Sequence, residues 1–445
     1  MHFGADLCTR CAPIGRFARS DGREVGASTL ARALRNPVDH IRARTAMPQR
    51  PHAARLTRRL ALGTLLAGVA CLGFDLGPVR AAEPVRIGLV TALSGQSAKS
   101  GEAISRGIGL AIDEINKQGG VLGRPLELVA RDDEANPSKG VLAARELIQR
   151  AGVVALIGGL DTPVSMAIVP IANQMKVPFV GPWAAGTGIT RNGAADNYVF
   201  RVSAVDALVD EALVAYAQKT YGAKKPGAIL VNNAWGESNQ QGIVAALKAA
   251  GLPSAGIEKY EANDLDMVPQ LTRLREAGAD ALFLVGNVGP SAQVVKSLDR
   301  MGWDVPVVSH WGPAGGRFDE LAGPGAARVH FVQTFTFAGN ENPKAKAVLE
   351  ALKTKYPAIK SMADVTPAVG IANAYDATHL IALAIRAAGS TEGPKLRDGF
   401  YKVAPYPGLI KTYETPFAPG RHDALGPADY VFSRFRNGEI VAVAQ

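Results

Sequence analysis

The sequence predicts an α/β protein of two lobes, each a parallel sheet covered by helices on both faces. Three observations point there. From Val85 onward short β-branched runs alternate with stretches of helical period. The strand candidates are apolar almost throughout rather than at every second residue, as in a sheet buried on both sides. And about 360 residues of this pattern exceed one comfortable hydrophobic core.

Taken in order, Val85–Thr91 reads as the first strand. In Glu102–Lys117, Ile104, Ile108, Ala111, Ile112 and Ile115 fall on one helical stripe, and Gly119-Gly120 ends it. Leu126–Ala130 is the next strand, and Pro137 opens a helix as a good first-turn residue. Val153–Ile157, a helix from Pro163 and Val177–Val180 follow. After residue 200 the alternation resumes with strands at Ala228–Val231, Ile257–Tyr260, Ala281–Val285 and Val305–Val308. Helices near 206–220, 237–250, 268–277 and 290–301 lie between them, and Pro367–Ala388 reads as a long buried helix.

The first segment is of another kind. Residues 1–82 hold thirteen Arg, no Lys and five acids, so nearly all of the net charge of +9 sits there. The remainder carries 36 basic and 35 acidic side chains, which excludes the basic face that nucleic-acid binding needs. Cys8, Cys11 and Cys71 are the only cysteines, so the rest of the chain has no disulfide and no thiolate site. A basic cluster (Arg55, Arg58, Arg59), an apolar run from Leu60 to Phe74, and small residues up to Ala81 stand in the order of a secretory signal. The run is too short to span a bilayer as a helix. Arg58-Arg59 fits a twin-arginine as well as a general signal, Cys71 is the alternative point for a lipid anchor, and Met47 is an alternative start.

Ligands of such folds sit beyond the carboxyl ends of strands, where loops and helix N-termini converge. Three loops there are rich in small and hydroxyl residues: Thr91–Ser100, Gly158–Thr162 and Gly181–Thr187. Such loops let the backbone approach a ligand, and free N–H groups at a helix start suit a carboxylate. Plain turn chemistry explains the same residues singly. No Gly-x-Ser-x-Gly elbow, Ser-x-x-Lys, His-Glu-x-x-His or phosphate-binding loop occurs, which leaves an enzyme as a remote alternative with no catalytic residue to name. Of the histidines past residue 83 only His310 lies near a candidate loop; surface or capping roles are expected for His330, His379 and His422. Asp132-Asp133 reads as a solvated pair at a strand end.

The run EPVRIGLVTALSGQSAKSGEAISRGIGLAIDEINKQGGVLGRPLELVARDDEANPSKGVLAARELI resembles the start of the leucine/isoleucine/valine-binding-protein family, the type I periplasmic binding proteins of ABC importers. ALIGGLDTPVSMAIVPIANQMKVPFVGP, NYVFRV, NAWGESN and the stretch from ADALFLVG to MGWDVPVVSHWG extend the resemblance over essentially everything from Glu83 onward. It implies two Rossmann-like lobes with parallel sheets joined by three hinge crossovers, lobe 1 from 83–203 and 334–410 and lobe 2 from 204–333 and 411–445. It also implies a small-molecule ligand in the cleft between them, closure by hinge motion, docking on ABC permease subunits in the inner membrane, a periplasmic monomer and no cofactor or metal. A ligand-sensing subunit of a receptor or regulator is the alternative on the same fold.

Carried over by motif, the resemblance points to Ser100, Thr162, Trp183 and the neighbouring Ala184 and Ala185 on the first lobe. On the second it points to Trp235 and Asn287, with Trp311 a further aromatic candidate. Amino-acid binders of the family carry an acid after the strand corresponding to Val305–Val308; here Ala314 stands in that place. A buried ammonium needs a carboxylate partner. Either Asp161 or Asp206 supplies it, or the ligand is an acid or amide with no free amine. Three Trp suit a planar or aromatic one.

Overall fold

The computed structural model describes residues 82–443, and the segment with its signal, Cys8, Cys11, Cys71 and Met47 lies outside them. The first lobe begins with β1 (Val85–Thr91), α1 (Ala98–Lys117), β2 (Leu126–Asp132), α2 (Pro137–Gln149) and β3 (Ala155–Gly158). It continues with α3 (Thr162–Met175), β4 (Phe179–Gly181), the one-turn α4 (Thr187–Thr190) and β5 (Val199–Arg201). These strands form one parallel sheet in the order β2-β1-β3-β4-β5. Every residue of β3, β4 and β5 is buried, as two-sided cover requires. On α1 the stripe Ile104, Ile108, Ala111, Ile112 and Ile115 faces the core.

A first crossover leads to α5 (Asp206–Tyr221), β6 (Gly227–Val231), α6 (Ala234–Ala249), β7 (Gly256–Tyr260), α7 (Val268–Glu276) and β8 (Leu282–Val285). Then come α8 (Val288–Arg300), β9 (Val307–Ser309), the short α9 (Phe318–Ala322) and β10 (Val329–Gln333). The chain returns with α10 (Pro343–Lys355), α11 (Ala368–Ala388) and α12 (Gly393–Phe400). It crosses a third time through β11 (Tyr406–Pro407) and β12 (Thr412–Tyr413) to the hairpin β13 (Val431–Arg436) and β14 (Glu439–Ala442). The second sheet runs β14-β13-β10-β9-β8-β6-β7, parallel from β10 to β7 and antiparallel at the hairpin.

Helix α11 lies against α1 and is almost wholly buried, so its length and hydropathy belong to a core helix. The two approach so closely that a Cβ on Gly107 would stand 2.2 Å from the Ile371 carbonyl oxygen. Two prolines shift strand starts from the expected places. Pro178 and Pro306 accept ladder bonds from Leu156 and Leu282 but have no N–H to give, so β4 opens at Phe179 and β9 at Val307. No strand after Val308 was expected from the sequence; β10 and the β13–β14 hairpin complete the sheet. The hairpin turns on Asn437-Gly438, both at positive φ (53° and 80°), the two-residue turn that favours this pair.

The first and third crossovers are tied together. Segment 422–424 lies beside the end of β5, with Arg201 N donating to His422 O and Ala424 N to Arg201 O, both at 2.9 Å. The Arg201 side chain is fully buried and meets Asp423 Oδ1 at 2.7 Å. The remaining guanidinium N–H groups reach Thr190 Oγ1 at 2.6 Å and Gly186 O at 2.9 Å. At the second crossover Thr334 Oγ1 donates to Asn373 Oδ1, and Asn373 Nδ2 donates to Pro182 O.

Candidate functional site

The carboxyl ends of β3 and β4 build the first-lobe face. Gly158 and Gly159, at φ 129° and 69°, turn the chain sharply into α3. A Cβ on Gly159 would lie 2.1 Å from Ser165 Oγ, which donates to the Gly159 carbonyl instead. Thr162 opens α3, buried, and its Oγ1 accepts from Gly186 N at 3.3 Å. Ala184 N donates to Gly159 O at 3.3 Å, Ala185 O accepts from Asp206 N at 2.8 Å, and Trp183 O accepts from Ser203 Oγ at 2.6 Å. Loop 183–187 is thus fixed through its backbone, with the Trp183 ring left to face the other lobe.

The second-lobe face is aromatic and organised around one carboxylate. Asp206, fully buried at the start of α5, accepts from the indole Nε1 of Trp235 at 3.2 Å. His310 Nε2 lies 3.0 Å from the same oxygen, close in distance but not aligned as a hydrogen bond. His310 Nδ1 accepts from Trp311 N at 2.8 Å, so the ring carries its proton on Nε2, toward Asp206. Trp235 and His310 meet edge-on at 5.2 Å, and His310 and Trp311 at 5.5 Å. Ala314 sits buried in the turn that follows, Gly312–Gly315.

The two faces are closed on each other. Trp183 and Trp311 pack with ring centroids 5.6 Å apart, tilted by 40°. Ser100 Oγ donates to Gly315 O at 2.9 Å, Thr187 N to Ser238 Oγ at 3.1 Å, and Asn287 Nδ2 to Asp161 Oδ1 at 3.2 Å. Between them remains a cavity of ≈ 20 Å³ lined by Ser100, Leu160, Trp183, Asn287, Gly312 and Gly315, about the room of one water. Ser100, Trp183 and Asn287 line that cavity, and Trp311 and Asp161 stand against its walls through Trp183 and Asn287; Thr162 does not reach it and is bonded to Gly186 instead. Asp206 and Trp235 stand one layer behind, joined to it through His310 and Trp311. Ala184 and Ala185 are buried in the scaffold.

Sequence reasoning gave His310 no role beyond proximity and missed Arg201, Asn373 and Gly315. Trp311 N–H to His310 Nδ1 is a neighbour contact that no spacing rule exposes. Three expectations are corrected. Asp133 is not solvated: it is fully buried, because the start of α2 folds over it and Ala135 N donates to its Oδ1. Burial, with Asp161 and Asp132 nearby and against the Ala135 hydrogen bond, pushes its carboxyl up to about 7. His379 and His422 are buried rather than at the surface, His422 bonded to Val199 O and Tyr401.

Burial also raises the Asp161 carboxyl, partly offset by the Asn287 hydrogen bond. One turn beyond Asp206, Asp210 is buried with both oxygens unpartnered, and burial beside Asp206 drives its carboxyl well up. Among the described residues no group of three or more His, Cys, Asp or Glu is placed to hold a metal ion. A larger surface cavity, ≈ 650 Å³, lies away from these faces, between loop 190–197, α12 and segment 419–423. Its Arg397 is paired with Asp196 and Asp398, and its Arg421 donates to the carbonyls of Pro416 and Thr415.

Residues 84–436 match the family model described as periplasmic binding protein. The chain is 27% identical over 333 residues to Leu/Ile/Val-binding protein homolog 3 of Brucella melitensis, covering 75% of this chain and 86% of that one. In structure it is similar to the branched-chain amino acid transporter substrate binding protein of Streptococcus pneumoniae in complex with isoleucine. There the TM-score is 0.69 at 25% identity, over 81% of this chain and 100% of that one. It is similar in fold to an ABC transporter solute binding protein of R. palustris in complex with 4-hydroxybenzoate, with TM-score 0.68 at 22% identity, over 81% and 96%. With two parallel-sheet lobes, three crossovers and a cleft between, and with the match running through nearly all the described residues, the chain belongs to the periplasmic binding protein family, among the leucine/isoleucine/valine-binding type I proteins.

Proposed function

We propose that this chain is the extracytoplasmic solute-binding protein of an ABC importer, and that its cleft takes a small carboxylate-bearing solute without a free amine, aromatic acids foremost. It binds and does no chemistry. The observation that carries the ligand class is the facing pair Trp183 and Trp311, one from each lobe, with Ala314 in the turn beside them. Inserting a flat ring between the two indoles requires a separation of roughly 7 Å, two contact distances of about 3.5 Å, against 5.6 Å now. A small relative motion of the lobes supplies that.

The N-terminus of α3 at Thr162 offers free N–H groups and a partial positive charge for the carboxylate. One oxygen of each nearby acid is taken, Asp206 Oδ1 by Trp235 with His310 beside it, and Asp161 Oδ1 by Asn287. Closure then follows from the higher affinity of the closed form for solute, and the importer's permease reads the changed placement of the two lobe surfaces. The names of the relatives agree with import, and a periplasmic location follows from that reading and from the signal-like segment. A second reading, a branched-chain amino acid, is favoured by one observation. The second oxygens of Asp161 and Asp206 are buried without a donor and could receive an ammonium.

A thermal-shift screen of the refolded chain separates the two, since a bound solute raises the melting temperature by mass action. Benzoate, 4-hydroxybenzoate, dicarboxylates, amides and the branched-chain amino acids form the panel. Stabilisation by aromatic acids and none by amino acids supports the first reading; the reverse pattern discards it.

A further inference from the structure

Two helices point their N-termini at each other across the cleft, and each forgoes its own side-chain cap. Asp161 is the N-cap residue of α3 and Asn287 that of α8; both are extended in backbone, and their carbonyls accept the first helical bonds from Ser165 N and Ser291 N, each at 3.0 Å. Asp and Asn are among the best capping residues because the side-chain oxygen ordinarily accepts from the second or third helical N–H. Neither does so here. The two side chains bond to one another instead, Asn287 Nδ2 to Asp161 Oδ1 at 3.2 Å.

That contact encloses a carboxyl with little else to hold it. Asp161 Oδ2 is buried and unpartnered, and so is Asp133 Oδ2 at the end of β2, close enough for the two charges to repel. From the β2 end Asp132 adds a third acid, held by the N–H groups of Leu93 and Glu134. At the start of α2, Glu134 and Lys139 are exposed and paired with each other. The first turn of α8 brings only Val288, Gly289 and Pro290. Neither Asp161 nor Asp133 has a cationic partner among the described residues.

We propose that Asp161 and Asn287 form a latch between the lobes, and that closing it takes up one proton from solvent at the Asp161 carboxyl, beside Asp133. With the lobes apart, Asp161 is solvated, free to cap α3, and ionises at an ordinary pH. With the lobes together Asp161 is buried beside Asp133, which α2 buries in either state, and the Asp161 carboxyl then holds a proton more readily. Asp133 is then a positioning residue: it touches no solute and sets the pH at which the latch holds. The sign follows from linkage. The closed form binds the extra proton, so closure strengthens as pH falls, by up to tenfold per unit, and is flat at high pH where neither form holds that proton. A latch of this kind presupposes the solute-binding reading above, but it works without solute and is tested without it.

The experiment is small-angle X-ray scattering of the unliganded chain from pH 5 to 9, with circular dichroism to confirm folding. The expected radius of gyration is smallest at the acid end of this range and grows to a plateau at the alkaline end. Asp161→Asn, which keeps an oxygen for Asn287 and removes the charge, flattens the profile at the compact end; Asp133→Asn, also isosteric, shrinks it. Asn287→Ala is more expanded at every pH. A wild-type radius independent of pH, or an unchanged profile in Asp161→Asn, overturns the proposal, whatever the solute proves to be.

Discussion

The two faces of the cleft are built by different means. The first-lobe face is a backbone surface: loops 158–162 and 181–187 meet through main-chain bonds, and the buried Arg201–Asp423 pair clamps them from behind. The second-lobe face is a side-chain surface, in which Asp206, Trp235, His310 and Trp311 hold one another with few main-chain contacts. A face made of backbone tolerates side-chain change but not loss of its clamp. A face made of side chains is where a change of residue changes what binds.

The largest expected effect tests the clamp. Arg201→Ala leaves Asp423 buried without its partner, a loss of roughly 3–5 kcal/mol for a broken buried pair, seen as a large fall in denaturant midpoint. The same pair sets an acid limit. Burial pushes the Asp423 carboxyl up, but Arg201, Thr190 and Arg191 outweigh it and hold it below its ordinary value. A depressed carboxyl contributes stability that is present above its unfolded pKa and lost as pH falls through the folded one. Wild-type stability from this source therefore falls below about pH 4, and Arg201→Ala lacks that component of the acid transition.

On the second face, Trp311→Ala removes one of the two facing rings. Solute affinity is expected to fall about thirtyfold, near 2 kcal/mol, by calorimetric titration. Asp206→Asn removes the charge while leaving an oxygen for Trp235, and about tenfold loss is expected with the fold intact. A gain in affinity for acids in that variant would mean that Asp206 repels the solute directly rather than orienting the aromatic wall. Thr162→Ala should cost least, about fivefold, because one hydroxyl contact to the Gly186 amide is lost and the α3 N–H groups remain. Equal losses for Thr162→Ala and Trp311→Ala would erase the contrast between the faces.

The same contrast decides what was legible in the sequence. The first face could be read: Gly158-Gly159, Thr162 and Gly181-Pro182-Trp183 follow strands at places where an α/β fold gathers its ligand loops. The stripe on α1 needed only the helical period. The second face could be read only in part. Trp235 and Trp311 stood out as residues, but their joining through Asp206 and His310 links positions 206, 235 and 310, which no local pattern connects. The burial of Asp133 was hidden for a like reason, since a strand-end acid reads as solvated until the next helix is seen folding over it. The hairpin at β13–β14 had a plain signal in Asn437-Gly438 and went unnamed.

The central claim is that the cleft selects a carboxylate without an amine, and matched pairs test it most directly. Phenylalanine against 3-phenylpropanoate, and leucine against 4-methylpentanoate, differ only in the ammonium group. Three of the four tryptophans lie at or just behind the facing surfaces of the lobes (Trp183, Trp311 and Trp235), so intrinsic fluorescence titration of the refolded chain is expected to report occupancy. The account predicts that each deamino acid binds at least about tenfold more tightly than its amino acid, because the turn after β9 presents Ala314 where an ammonium would need a carboxylate. Tighter binding of leucine or phenylalanine would contradict it, and would assign the free oxygens of Asp161 and Asp206 to the ammonium.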